Sequence, residues 1–154
     1  MKKILSIAAS AVLATGLFLS CGKDANVIKV GATPEPHAEM LNLIKEDVEA
    51  AGYKLQVVEF TDYVTPNEAL EAGDIDANFF QHLPYMDSFN KERGYHLVSA
   101  AGIHIEPIAV YSKKVTKLAD LKKGADIAIP NDPTNEGRAL LLLEAAGLIK
   151  LSAD

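Results

Sequence analysis

Two stretches carry side chains whose types and spacing suit the capture of a small molecule. The first, Pro130-Asn131-Asp132-Pro133-Thr134-Asn135-Glu136-Gly137-Arg138, runs from the end of an apolar segment into a helix N-terminus. Free backbone N–H groups and the helix dipole make such a terminus attractive to anions. Arg138 falls in the first turn, where a cation opposes the dipole unless an anion bridges the two. A ligand carboxylate held by a bidentate guanidinium contact resolves that conflict. Pairing with Glu136, or plain exposure to water, would satisfy Arg138 as well, and the pattern leaves these alternatives open.

The second stretch is Phe60 to Tyr85, which gathers aromatics, amides and a histidine between capping signals. Ile75, Ala77 and Phe79 alternate with Asp76, Asn78 and Phe80, the period of a strand whose end presents Phe80, Gln81 and His82. Tyr63 lies just past the preceding strand, Leu55 to Phe60. Both loops therefore reach the same edge of a sheet, where open α/β folds bind ligands. By the same alternation Phe79 belongs to the core and Phe80 to the opposite face. His104, between Ile103 and Ile105, either faces the cleft or serves the structure.

The elements that must position these groups alternate in type. Val27 to Gly31 reads as a buried strand, followed by a turn at Thr33-Pro34-Glu35-Pro36 and a helix with Leu41, Ile44, Val48 and Ala51 on one face, stopped by Gly52. Thr65-Pro66-Asn67-Glu68 places a hydroxyl at an N-cap with proline at the first helical position, and Gly73 ends that helix. Pro84 to Arg93 is a helix with Met86 and Phe89 inward and Gly94 as its cap. Strand and helix in alternation predict an α/β fold around a mostly parallel sheet. Leu97 to Tyr111, interrupted by Gly102 and Pro107, reads as an extended segment leaving one sheet for another, a hinge. Beyond it the pattern predicts a short helix from Thr116 to Gly124, a strand over Ala125 to Ile129, and a helix over Asn135 to Leu148 that is apolar nearly all round. Such a helix needs cover on several sides.

The chain of 154 residues is 49% hydrophobic and 23% charged, ordinary material for a soluble domain. Its net charge of −6 argues against nucleic acid or an anionic membrane surface as a partner. At the N-terminus, Met1-Lys2-Lys3 precedes an apolar run from Ile4 to Leu19 and then Ser20-Cys21-Gly22. A basic start, an apolar run shorter than a membrane span and a small residue before the one cysteine describe a secretory signal ending in a lipobox. Residues 1–20 are then a signal peptide, Cys21 the lipidated residue, and 21–26 a polar tether.

The runs DYVTPNEALEAGDIDANFFQH and IPNDPTNEGRALLLLEAAGLIKL closely resemble the methionine-binding lipoproteins, the substrate-binding components of bacterial ABC importers for methionine. The resemblance covers the chain from about Val27 to Asp154. It implies a type II periplasmic-binding-protein fold, with a nearly complete first lobe over 27–107 and a partial second lobe over 108–154. It further implies that Tyr63, Phe80, His82 and Tyr85 line a pocket for a thioether, and that Asn135 and Arg138 hold the amino acid backbone, Asn135 being placed to cap the helix as well; His104, by its alternation with Ile103 and Ile105, is a further candidate ligand contact. The implied partners are L-methionine or its D enantiomer, a permease with a cytoplasmic ATPase, and the membrane through the N-terminal lipid, with no nucleic acid and no cofactor. Family members continue beyond the point where this sequence stops, so the resemblance also predicts a second lobe with incomplete cover.

Three other functions compete. A metal receptor would draw on His82 and His104, the histidines placed to reach the cleft, but no paired-histidine motif accompanies them. An enzyme could recruit Asp62 and His82, yet no nucleophile elbow, phosphate loop or cysteine–histidine pair is present. A shortened surface lipoprotein with an interaction role in place of transport is the remaining alternative.

Overall fold

The computed structural model describes residues 26–152, so the signal segment and Cys21 lie outside the described residues. The first three strands form one parallel sheet in the order β2-β1-β3. Strand β1 (Val27–Ala32) is central, pairing with β2 (Lys54–Glu59) along its whole length and with β3 (Ala77–Phe79) at its C-terminal half. Paired on both sides, its residues Val30, Gly31 and Ala32 are buried. Gly31 is required by space, because a Cβ there would fall 2.7 Å from Ile75 Cδ1 and 2.8 Å from the Phe60 ring. Asp76 prolongs the β1–β3 edge, its N–H donating to the Lys29 carbonyl and its carboxylate accepting from the Lys29 N–H.

The helical segment after β1 departs from the single amphipathic helix that the sequence suggests. A kinked turn over Pro34–Ala38, with Glu35 extended at φ −119° and ψ 135°, leads into α1 (Glu39–Leu43) and then α2 (Lys45–Ala50). The break falls at Ile44, with φ −99° and ψ 5°, and its side chain is largely exposed rather than inward. Helix α3 (Thr65–Glu71) also starts differently from the sequence expectation. Thr65 lies inside the helix, and Asp62 supplies the cap by accepting from the N–H groups of Val64 and Thr65 at 2.8 and 2.7 Å. Those bonds, that of Thr65 first, hold the Asp62 carboxyl below its ordinary pKa.

Helix α4 (Leu83–Arg93) follows the sequence pattern closely. Met86 and Phe89 are buried, each contributing roughly 1.5–3 kcal/mol by leaving water. Gly94 ends the helix at φ 69°, a left-handed conformation that glycine adopts without steric cost. Asn90 then pins the departing chain, donating to the Leu97 carbonyl and accepting from the Leu97 N–H.

After Leu97 the regular ladder stops. Among the described residues there is one sheet, and neither Leu97–Tyr111 nor the expected strand Ala125–Ile129 pairs with a neighbour. A strand is defined by its partner, and the described residues offer these segments none. The short helix expected from Thr116 is reduced to a single turn, Leu118–Asp120. Helix α5 (Pro133–Ala145) starts and stops earlier than the apolar run suggests. Asp132 caps its start, and Gly147 at φ 72° ends it. Ala139 and Leu143 are buried while Leu141 on another side is 62% exposed, so one apolar face of α5 lacks cover. No helix among the described residues is long and apolar enough to cross a membrane.

Candidate binding cleft

Adjacent residues of a strand project to opposite faces, and Phe79 and Phe80 accordingly anchor two separate aromatic groups. On the Phe80 side, Tyr63 and Tyr85 stand with ring centroids 6.0 and 6.1 Å from that of Phe80 and 6.5 Å from each other. The Tyr85 hydroxyl donates to the Tyr63 carbonyl at 2.7 Å, fastening the loop after β2 to α4. Tyr85 and Tyr63 line an open cleft of about 520 Å³ together with Thr61, Asp62, Val64, Asn131 and Asp132. That volume is in the range of small-molecule sites. Burial, with the nearby Asp132 and Asp62 carboxylates, raises the Tyr85 pKa and keeps the phenol protonated as a hydrogen-bond donor.

His82 sits at the N-cap of α4, its Nδ1 accepting from the Tyr85 N–H at 3.2 Å. That bond requires an unprotonated Nδ1, so the neutral ring carries its proton on Nε2. Nε2 is buried and has no hydrogen-bond partner. A buried donor left unpaired costs about 1–3 kcal/mol unless something bonds to it, which marks this atom as one awaiting an acceptor.

The floor beneath the aromatics is a network of amides. Asn67, fully buried at the start of α3, donates from Nδ2 to Gln81 Oε1 at 2.9 Å. Its Oδ1 accepts from Asn78 Nδ2 and Gln81 Nε2, both at 2.8 Å. This locks α3 to the end of β3 and fixes the backbone that carries Phe80 and His82. The sequence shows Asn67 only as part of a capping signal; its role comes from chain segments 11 to 14 residues apart meeting in space.

Opposite the tyrosines, Asp132 organises the start of α5. It accepts from the Asn135 N–H at 2.9 Å, the Thr134 hydroxyl at 2.7 Å and the Asn135 side-chain amide at 3.0 Å. Burial pushes the Asp132 pKa up, but these hydrogen bonds outweigh it and leave the group below its ordinary value, hence ionised. Asp132, not Asn135, is therefore the helix cap. Asn135 bridges Asp132 to Arg138, whose Nη1 donates to Asn135 Oδ1 at 2.9 Å and whose Nη2 donates to the Glu106 carbonyl at 2.8 Å. Among the described residues no carboxylate pairs with Arg138, Glu136 included.

His104 belongs to the other aromatic group. Its ring lies edge-on to Phe79 at 5.5 Å and beside His37 at 5.4 Å, and its Nε2 meets Glu106 Oε1 at 2.8 Å. His37, from the kinked turn after β1, packs edge-on against Phe79 at 4.6 Å and binds the Thr33 hydroxyl through Nδ1 at 2.7 Å. Burial lowers the His37 pKa against the opposing pull of Glu106. The sequence gives no local pattern for this pairing of histidines, because residues 37 and 104 meet only through the fold. The structure thus brings Tyr63, Phe80, His82 and Tyr85 together, sets Asn135 and Arg138 on α5, and separates His104 onto the Phe79 side.

The chain as a whole is similar to known proteins. The family model of the NlpA lipoproteins matches residues 28–154. The D-methionine-binding lipoprotein MetQ of Salmonella typhi is 49% identical over 154 residues, covering 97% of this chain and 57% of the relative. The membrane lipoprotein TpN32 of Treponema pallidum is 51% identical over 126 residues, 82% of this chain and 47% of the relative. Among solved structures, a nutrient-binding protein from Burkholderia cenocepacia bound to methionine superposes with a TM-score of 0.78 at 54% identity, covering 82% of this chain and 53% of that one. The chain thus spans about half the length of these relatives. An α/β fold of the periplasmic-binding type, a cleft at its sheet edge and a family match over nearly all the described residues establish that the chain belongs to the NlpA lipoprotein family.

Proposed function

We propose that this protein is an extracytoplasmic receptor that captures methionine and passes it to an ABC permease driven by a cytoplasmic ATPase, rather than an enzyme. The observation that carries the reading is the cleft itself, with an aromatic wall of Tyr63 and Tyr85 on one side and the start of α5 on the other. Phe80 backs that wall and His82 offers a buried, unpaired Nε2–H. Aromatic faces and edges attract a thioether sulfur with about 0.3–1.5 kcal/mol per contact. Several such rings favour methionine over a shorter apolar side chain.

The amino acid end calls for opposite charges. Arg138, free of any carboxylate partner among the described residues, takes the ligand carboxylate when its side chain turns from the Glu106 carbonyl, and Asn135 steers it through their shared hydrogen bond. The ionised Asp132 at the cleft suits the ammonium group. L-methionine and its D enantiomer both present these groups. With about nine non-hydrogen atoms at a ceiling of roughly 1.5 kcal/mol each, methionine can reach nanomolar affinity in a closed cleft. Closure requires two lobes, assigned to 27–107 and 108–154, moving about the Leu97–Tyr111 segment. Cys21 carries the lipid that holds the protein at the membrane, facing the periplasm or the exterior.

Isothermal titration with methionine tests this reading. Arg138→Ala should weaken binding by at least about a hundredfold, as expected for loss of a charge-assisted contact, while leaving the melting of the sheet unchanged. Retained affinity in the variant, or no heat with the wild-type protein, refutes it.

A further inference from the structure

The group around Phe79 contains three metal-ligating side chains that the methionine reading leaves unused. His37 comes from the turn after β1, and His104 and Glu106 from the extended segment after α4. Their ligand atoms all lie within 4.8 Å of one another. Glu106 Oε1 is 3.4 Å from His37 Nε2 and 2.8 Å from His104 Nε2. We propose that His37 Nε2, His104 Nε2 and Glu106 Oε1 form a binding site for one divalent cation of the zinc class.

The donor chemistry selects that class. Two imidazoles and a carboxylate suit zinc and its borderline neighbours, whereas calcium and magnesium want oxygen alone. With metal–ligand bonds of about 2.0–2.2 Å in a tetrahedron, neighbouring donors sit roughly 3.4 Å apart. The His37–Glu106 separation already has that value, and the His104–Glu106 hydrogen bond need open only by a fraction of an ångström. His37 has the orientation that a ligating histidine requires, because the Thr33 hydroxyl occupies Nδ1 and leaves Nε2 for the metal. Phe79 fixes both rings edge-on. His104 and Glu106 keep side-chain exposures of 26% and 51%, which gives an ion a path in and leaves the fourth position to water. The guanidinium of Arg138, bonded to the Glu106 carbonyl, weighs against affinity but donates to a backbone oxygen that the metal does not use.

Occupancy would clamp Glu106 to the Thr33–His37 turn, and the Glu106 carbonyl is one of the two groups that hold Arg138. The site therefore joins the extended segment to the sheet independently of any amino acid in the cleft. Titrating the full chain with cobalt(II) tests it without reference to methionine. The expected result is one equivalent bound with the intense visible absorption of a four-coordinate ion, displaced by zinc. His104→Ala and Glu106→Gln, both at partly exposed positions, should each weaken binding by at least about tenfold while leaving thermal melting without metal unchanged. A spectrum no stronger than that of hydrated cobalt overturns the proposal, as does an affinity unchanged in either variant.

Discussion

Residues 27–95 and residues 98–132 are similar in their supply of apolar and β-branched side chains, yet only the first region builds a sheet. In the first, β1 lies between two partners and its amides close a ladder on both sides. In the second, Val98, Ile105 and Tyr111 are each more than 80% exposed, and no backbone ladder forms among the described residues. Strand propensity is common to both regions. Among the described residues a neighbouring strand is available only to the first, and there pairing rather than propensity separates the two regions.

Hydrogen exchange should display the largest difference between the regions. Amides of Gly31 and Ala32 are expected to exchange by global opening, whereas those of Asp126–Ile129 exchange near the rate of an unstructured peptide. Comparable protection in both would erase the contrast. Single substitutions sharpen it. Asn67→Ala strips the amides of Asn78 and Gln81 of a buried partner and should cost about 2–3 kcal/mol in denaturant unfolding. Ile105→Ser at a 91% exposed site should stay within about 0.5 kcal/mol by the same measurement.

Between these extremes lies the start of α5. Asp132→Ala removes the cap and should cost about 1 kcal/mol near neutral pH. The folded pKa of Asp132 is below its ordinary 3.8, so the stabilisation is complete above that value and is lost as pH falls through the folded pKa. The difference between wild type and variant, followed by circular dichroism, should therefore shrink on acidification below 3.8. A difference that grows in acid would reverse the sign of this coupling.

The sequence was most legible where local chemistry and tertiary packing agree. Pro84, Met86, Phe89 and Gly94 mark the start, inner face and end of α4, and Met86 and Phe89 are buried as their spacing suggests. Boundaries failed where two residues compete for one task. Asp62 displaces Thr65 as a cap by reaching two backbone N–H groups at once, and Asp132 displaces Asn135 by accepting from the Asn135 N–H and the Thr134 hydroxyl. Ala125–Ile129 has the composition of a strand, and composition does not report whether a partner is present. The aromatic strand end Phe79-Phe80 and the loop residue Tyr63 were legible as neighbours of a sheet edge. The buried amides of Asn67, Asn78 and Gln81, and the meeting of His37 with His104, depend on long-range geometry that no window of sequence contains.

The two aromatic groups on either side of β3 also define the most direct test of the proposed function. Nuclear magnetic resonance with methyl-labelled methionine bound to the full chain reports which rings surround the thioether. Cross-relaxation from the ligand methyl to the rings of Tyr63, Phe80 and Tyr85 is the predicted result. Contacts to Phe79 and His104 instead, or no bound signal at saturating methionine, would contradict the assignment of the cleft.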